Sequence, residues 1–165
     1  MRLAILLAVT FVLGAVSALV LNQTQATESP LQSPAPTAFA STEDAAAPND
    51  HISEPNISVL EDRVIIKVDN PVWARFTPSG SMKPVFDESA NAIEIVPTET
   101  GQIRLGDIIS YEAPWSSVPV IHRVVETGID DQGWYAIVKG DNNDVNDPGK
   151  VRFAQVRRVV VAIIY

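Results

Sequence analysis

The chain contains no cysteine, so disulfides, thiolate metal sites and a cysteine nucleophile are excluded. It holds two histidines, His51 and His122, which are its whole supply of imidazole. Basic residues are scarce: 12 Lys and Arg against 20 Asp and Glu give a formal net charge of −8. That balance argues against a nucleic-acid partner, since affinity for phosphates needs a basic surface. Between Asn22 and Asp62 the scarcity is complete, with seven acidic residues and no Lys or Arg. After residue 21 no segment sustains a 3.6-residue apolar period for more than about two turns, which excludes a helical bundle.

What the chain does have begins with an apolar run. Leu3 to Leu21 is nineteen residues without a charge, preceded by Met1 and Arg2. As a helix it would span roughly 28 Å at about 1.5 Å per residue, close to a bilayer's hydrocarbon core. Arg2 and the terminal amine would hold the N-terminus in the cytoplasm and place the rest outside, which makes residues 1–21 a single-pass membrane anchor. A cleaved signal peptide is the alternative, with Val16-Ser17-Ala18 as the small-residue site; either way the remainder is exported. Residues 22–57 are rich in Pro, Ala, Ser and Thr with few large apolar side chains, and read as a disordered acidic linker with His51 inert inside it. Asn22-Gln-Thr24 and Asn56-Ile-Ser58 match the glycosylation acceptor pattern.

From residue 58 the texture changes to short Val- and Ile-rich runs. Arg63–Val68, Val72–Phe76, Ala92–Val96, Asp107–Tyr111, Val118–Glu126, Trp134–Val138 and Val156–Tyr165 read as strands. Turn signals at Thr77–Gly80, Leu105–Asp107, Asp130–Gly133 and Asp147–Gly149 separate them. Residues 58–165 are therefore expected to form one all-β domain, a sandwich or partly open barrel. Trp73, Trp115 and Trp134 are assigned to its core in preference to a membrane-facing rim.

Three fragments could carry chemistry. Pro78-Ser-Gly-Ser-Met-Lys-Pro84 offers a serine in a stiff, exposed turn, and a serine needs a base before it becomes a nucleophile. His122 lies in the apolar run Val118–Val125, where alternation puts it on the opposite face from Ile121 and Arg123. The loop from Lys139 to Gly149 supplies Asp141, Asp144 and Asp147, any of which could orient an imidazole. An ordinary Asn/Asp turn or a loose calcium site are the other readings of that loop. The EF-hand spacing fails, with Pro148 and Gln155 or Val145 where ligands are needed. Neither a metal nor a cofactor is expected.

Taken in order, Ser79-Gly-Ser-Met82, Gly106-Asp-Ile-Ile-Ser-Tyr111, His122-Arg-Val-Val125 and Gly140-Asp-Asn-Asn143 resemble the type I signal peptidases over about Arg75 to Asp147. The histidine makes the chain similar to the endoplasmic-reticulum and archaeal branch, because the bacterial branch has a lysine in that strand. The resemblance implies a signal-peptidase-like catalytic β domain with Ser81 as nucleophile and His122 as general base. Asp147 matches the triad aspartate and Asp141 a second important acid; which one orients His122 stays open. It implies an oxyanion hole from the Ser81 N–H and the Ser79 hydroxyl, and a structural role for Gly106 and Asp107. It also implies a substrate bound as an extended strand at Arg75, Phe76, Thr77, Pro78 and Met82, with Asp107–Glu112 as the second edge. The implied partners are preprotein signal peptides and the bilayer, with cleavage on the outer face after small residues. The sequence departs from the family in its linker of 36 residues, in Asn146 beside the triad acid, and in ending at Tyr165 with no second membrane segment. A protease of this fold with a specialised substrate, or an exported non-catalytic β domain binding peptide or metal, are the alternatives.

Overall fold

The computed structural model describes residues 45–165, and the expected anchor over residues 1–21 and most of the linker lie outside them. Among the described residues no helix is long and apolar enough to cross a membrane. They form nine strands: β1 Ile57–Val59, β2 Val64–Ile66, β3 Val72–Arg75, β4 Asn91–Ile95, β5 Ile108–Tyr111, β6 Val120–Asp130, β7 Gly133–Lys139, β8 Val151–Arg152 and β9 Val156–Ile164. Strands β1 and β2 make a separate two-stranded pair, and the other seven form one sheet in the order β3-β4-β9-β5-β6-β7-β8. Every pairing is antiparallel. The seven-stranded sheet curls into a half-barrel, so of the two architectures expected the partly open barrel describes it and the sandwich does not.

Both faces of this sheet carry a core, because alternate residues of each strand project to opposite sides. One cluster holds Ile109, Tyr111, Val124, Val138 and Val159; the other holds Met82, Phe86, Ala92, Ile108 and Val160. Burying each large aliphatic side chain here contributes about 1.5–3 kcal/mol. The two short strands β1 and β8 were not legible in the sequence, and the other seven runs are strands within a few residues of the expected bounds. Two of the three tryptophans are not core residues: Trp73 is 62% exposed on β3 and Trp115 is also exposed, whereas Trp134 packs edge-on against Phe153. An edge strand and a loop have only one side to bury, which is why an aromatic there stays in solvent.

The structured region begins before residue 58. Gly106 at φ 93° lies so close to the preceding segment that a Cβ on it would stand 2.1 Å from the Ala47 carbonyl oxygen. Asp107 accepts hydrogen bonds from the Asn49 N–H at 2.7 Å and the Arg104 N–H at 2.8 Å, and its carboxylate is 3.2 Å from His51 Nε2. Burial pushes the Asp107 carboxyl up, but the His51 contact and the two backbone donors outweigh it and hold it below its ordinary value. His51, taken as inert on composition, is thus a tie between residues 45–51 and the domain. Gly106→Ala is expected to lower the melting temperature by at least about 5 °C, since the backbone conformation alone costs about 1–3 kcal/mol for a residue with a Cβ. Limited proteolysis should then cut sooner between residues 45 and 51; an unchanged melting curve would show that the close approach carries no stability.

Candidate active site

Ser81 sits in a turn between β3 and β4 that Gly80 enters at φ 68°. Two groups from the loop after β7 hold this turn: Asn142 donates its backbone N–H to the Ser81 carbonyl at 2.8 Å and its side-chain amide to the Gly80 carbonyl at 3.1 Å. The approach is tight, because a Cβ on Gly140 would lie 2.7 Å from the Ser81 carbonyl oxygen. The Gly-Asp-Asn-Asn segment therefore fixes where the serine stands. Ser79 Oγ lies 3.1 Å from Ser81 Oγ and 3.4 Å from the Ser81 N–H.

His122 comes from the buried half of β6, where it faces the same side as Ile109 across the β5 pairing. It is 5% exposed. Its Nε2 is 3.0 Å from Ser81 Oγ and its Nδ1 is 2.5 Å from Asp147 Oδ2. Asp147 is 9% exposed and is pinned by its own N–H, which donates to the Val138 carbonyl at 2.8 Å. With the carboxylate accepting from Nδ1–H, the neutral ring presents its Nε2 lone pair to the Ser81 hydroxyl. That series can take a proton from serine as its oxygen attacks an electrophile, and burial strengthens each link by excluding water.

The same Asp147 Oδ2 accepts a hydrogen bond from the Tyr111 hydroxyl at 2.6 Å. Burial, and then this contact with Asp147, raise the Tyr111 pKa well above its ordinary value, so the phenol stays a neutral donor. From sequence Tyr111 is expected only in a strand, as the end of the Gly106–Tyr111 motif and within the second substrate edge, with no contact to the acid. A hydrogen bond to an ionised group contributes about 1.5–3 kcal/mol, so Tyr111→Phe is expected to reduce kcat about tenfold or more with little change in KM. A steady-state comparison on one peptide substrate checks this, and an unchanged kcat would remove Tyr111 from the site.

The structure separates the two aspartates that spacing left open. Asp147 is at the imidazole, while Asp141 takes two parallel hydrogen bonds of 2.7 Å from Arg123 Nε and Nη2. The alternation of β6 explains this: Arg123 follows His122 and must point the opposite way. Arg123 also donates from Nη1 to the Gly106 carbonyl at 2.8 Å and to the Ala46 carbonyl at 3.4 Å. It thereby joins the loop of Asp141, the turn at Gly106 and the strap of residues 45–51.

Ser81 and His122 open onto a cleft of about 1110 Å³. Of the residues expected to contact substrate, Arg75, Phe76, Thr77 and Met82 line it, and Pro78 does not. Met82 contributes from beneath, buried in the second core cluster, and Phe76 is stacked on Phe86 at 4.0 Å between ring centroids. Among the described residues β3 is paired on one side only, so there it has an open edge. The second expected edge is corrected: Ile108–Tyr111 lies between β9 and β6, its hydrogen bonds taken on both sides.

Fold and site together define a class: an antiparallel β protein in which a serine, a histidine and an aspartate stand in one hydrogen-bonded series at a cleft. Within that class the chain is similar to named relatives. The signal peptidase complex catalytic subunit SEC11 of Candida albicans is 36% identical over 69 residues, 42% of this chain and 40% of the relative. The sec11 subunit of Dictyostelium discoideum is 35% identical over 72 residues, 43% of this chain and 39% of the relative. The SEC11C subunit of the dog is 32% identical over 78 residues, 47% and 40% respectively. The chain spans about 40% of the length of the curated relatives it matches. The resemblance to the type I signal peptidases is thus carried by curated homologues. No protein-family description matches the chain, and no solved structure matches it.

Proposed function

We propose that the chain is a membrane-tethered serine endopeptidase of the signal-peptidase type, which removes signal peptides from exported preproteins on the outer face of the membrane. The observation that carries this reading is the unbroken series Ser81 Oγ, His122 Nε2, His122 Nδ1, Asp147 Oδ2, with links of 3.0 and 2.5 Å, at the wall of an open cleft. The printed names of the relatives support the substrate class, and the nineteen-residue apolar run from Leu3 supports the tether.

In this reading Ser81 Oγ attacks the carbonyl carbon of the scissile peptide while its proton passes to His122 Nε2. The oxyanion that forms is assigned to the Ser81 N–H and the Ser79 hydroxyl; in the resting site the Ser81 N–H donates to Ser79 Oγ at 3.4 Å, and both donors would turn to the oxyanion as charge develops. His122 then gives the proton to the leaving amine, the peptide bond breaks, and an acyl-serine remains. Water, deprotonated by His122, releases the acyl group by the same route in reverse. The preprotein adds as a strand to the open edge of β3, where main-chain hydrogen bonds supply affinity next to Arg75 and Thr77. Asp141 serves this site indirectly, by holding Arg123 and the loop that seats Ser81.

The test is cleavage of a preprotein by the full-length chain in detergent, comparing wild type with Ser81→Ala. Wild type should release a mature product whose new N-terminus follows small residues at the first and third positions before the cut. Equal processing by both proteins would overturn the assignment.

A further inference from the structure

One wall of the cleft carries an ionic and hydroxylic cluster that the proposed chemistry does not use. Glu94 on β4 is 1% exposed and Ser110 on β5 is 3% exposed. Arg158 Nη1 on β9 is 3.4 Å from Glu94 Oε2. Glu94 Oε1 and Ser110 Oγ make no hydrogen bond of normal geometry among the described residues, although the Ser110 hydroxyl stands beside the Glu94 carboxyl. Glu94, Ser110 and Arg158 line the same cleft as Ser81 and His122.

Register explains why they meet. Ser110 is directly opposite Arg158 on β9 and opposite Ile121 on β6, while Glu94 is opposite Val160, two residues beyond Arg158. Paired residues share a face of the sheet, so all of these side chains project to the side that carries Met82 and Ile108. Ile121 is the chain neighbour of His122, which puts the cluster within the stretch that an extended peptide reaching Ser81 would cross.

A buried polar atom left bare costs about 1–3 kcal/mol, so native structures give nearly all of them a partner. Two such atoms at one cleft wall mark where a ligand group completes the set. Its chemistry is restricted. Burial raises the Glu94 pKa, and Arg158 and then the neighbouring Ser110 hydroxyl oppose that rise, so the carboxyl already has its counter-charge and a second cation is not called for. An apolar group would leave both atoms bare. A hydroxyl can donate to Glu94 Oε1 and accept from the Ser110 hydroxyl, with Ala92, Val160 and Ile121 on the same face to receive a methyl.

We propose that Glu94, Ser110 and Arg158 form a specificity subsite for a hydroxyl-bearing side chain, serine or threonine, of the peptide bound in the cleft. This rests on the cleft being a peptide site, as proposed above, and adds a selection that small apolar pockets would not make. Sites that hydrogen-bond a substrate hydroxyl reject the analogue lacking it far more strongly than apolar pockets reject an extra methyl.

The test measures binding apart from cleavage. The Ser81→Ala full-length chain in detergent is titrated with fluorescent synthetic peptides carrying alanine throughout the recognition region, and with sets replacing one position at a time by Thr, its near-isostere Val, or Lys. One position should bind Thr about tenfold more tightly than Val and than Lys, and Glu94→Leu should abolish that preference. Ser110→Ala, which removes only the hydroxyl, should reduce it while leaving the melting temperature unchanged, so a misfolded Glu94 variant cannot decide the matter. No Thr preference at any position, a Lys preference, or a Thr preference that survives in both variants would overturn the subsite. Cleavage by wild type with no Thr preference would refute the subsite alone, and a Thr preference in binding with no Ser81-dependent cleavage would refute the peptidase reading alone.

Discussion

Ser81→Ala and His122→Ala are each expected to lower kcat by about 10⁵–10⁶-fold, with the double variant no worse than either single one. The reason is that neither group acts without the other. The Ser81 hydroxyl depends on His122 Nε2 at 3.0 Å to take its proton, and the imidazole has no nucleophile to serve once the serine is gone. Residual rate above water would come from the Ser79 and Ser81 donors and from strand pairing, which survive His122→Ala. Single-turnover kinetics on one peptide, run for the two single variants and the double, decide the matter. Additive losses would mean that serine and histidine act in separate steps, and a loss under tenfold for His122→Ala would mean that another base serves Ser81.

Asp147→Asn and Asp141→Ala are expected to fail in opposite ways. An amide at position 147 presents the wrong donor pattern to Nδ1, so the ring turns its proton toward Ser81; a fall in kcat of about 10⁴ is expected with the melting temperature nearly unchanged. Asp141→Ala leaves the Arg123 guanidinium buried with only carbonyl partners, and removing one member of a buried ion pair costs about 3–5 kcal/mol. For a domain of this size that is a drop of more than about 10 °C, with kcat of the folded fraction within about tenfold of wild type. Differential scanning fluorimetry beside steady-state kinetics separates the two. The reverse pattern would make Asp141 the acid that matters for His122.

The contrast also shows what could be read in advance. Strand positions follow from Val and Ile runs bounded by turn residues, and seven of them stood out. β8 is two residues long and β1 three, too short for any period to register. Three aspartates within seven positions of one loop look alike in sequence; only the pairing of Asp147 N–H with Val138, and the demand of Arg123 for a carboxylate on the other face, tell them apart. Glu94 lies in the run Ala92–Val96 that is expected as a strand, and nothing in that run signals its burial; a sheet with a core on both faces has no solvent side there. The low content of large apolar residues in 45–57 suggested disorder, because local composition cannot reveal that Asp107 and Gly106, more than fifty residues later, supply the partners.

Tyr111 belongs to two structures at once. Its ring is buried among Ile109, Val124 and Val138, and its hydroxyl ends on the Asp147 oxygen that faces His122. The innermost packing of the domain is therefore one covalent side chain away from the imidazole. On heating, activity and the near-ultraviolet signal of the packed aromatic should vanish along a single curve, since nothing in this arrangement lets the histidine lose its alignment while the interior stays solid. On the proposed reading, loss of activity and melting of the domain therefore share one temperature.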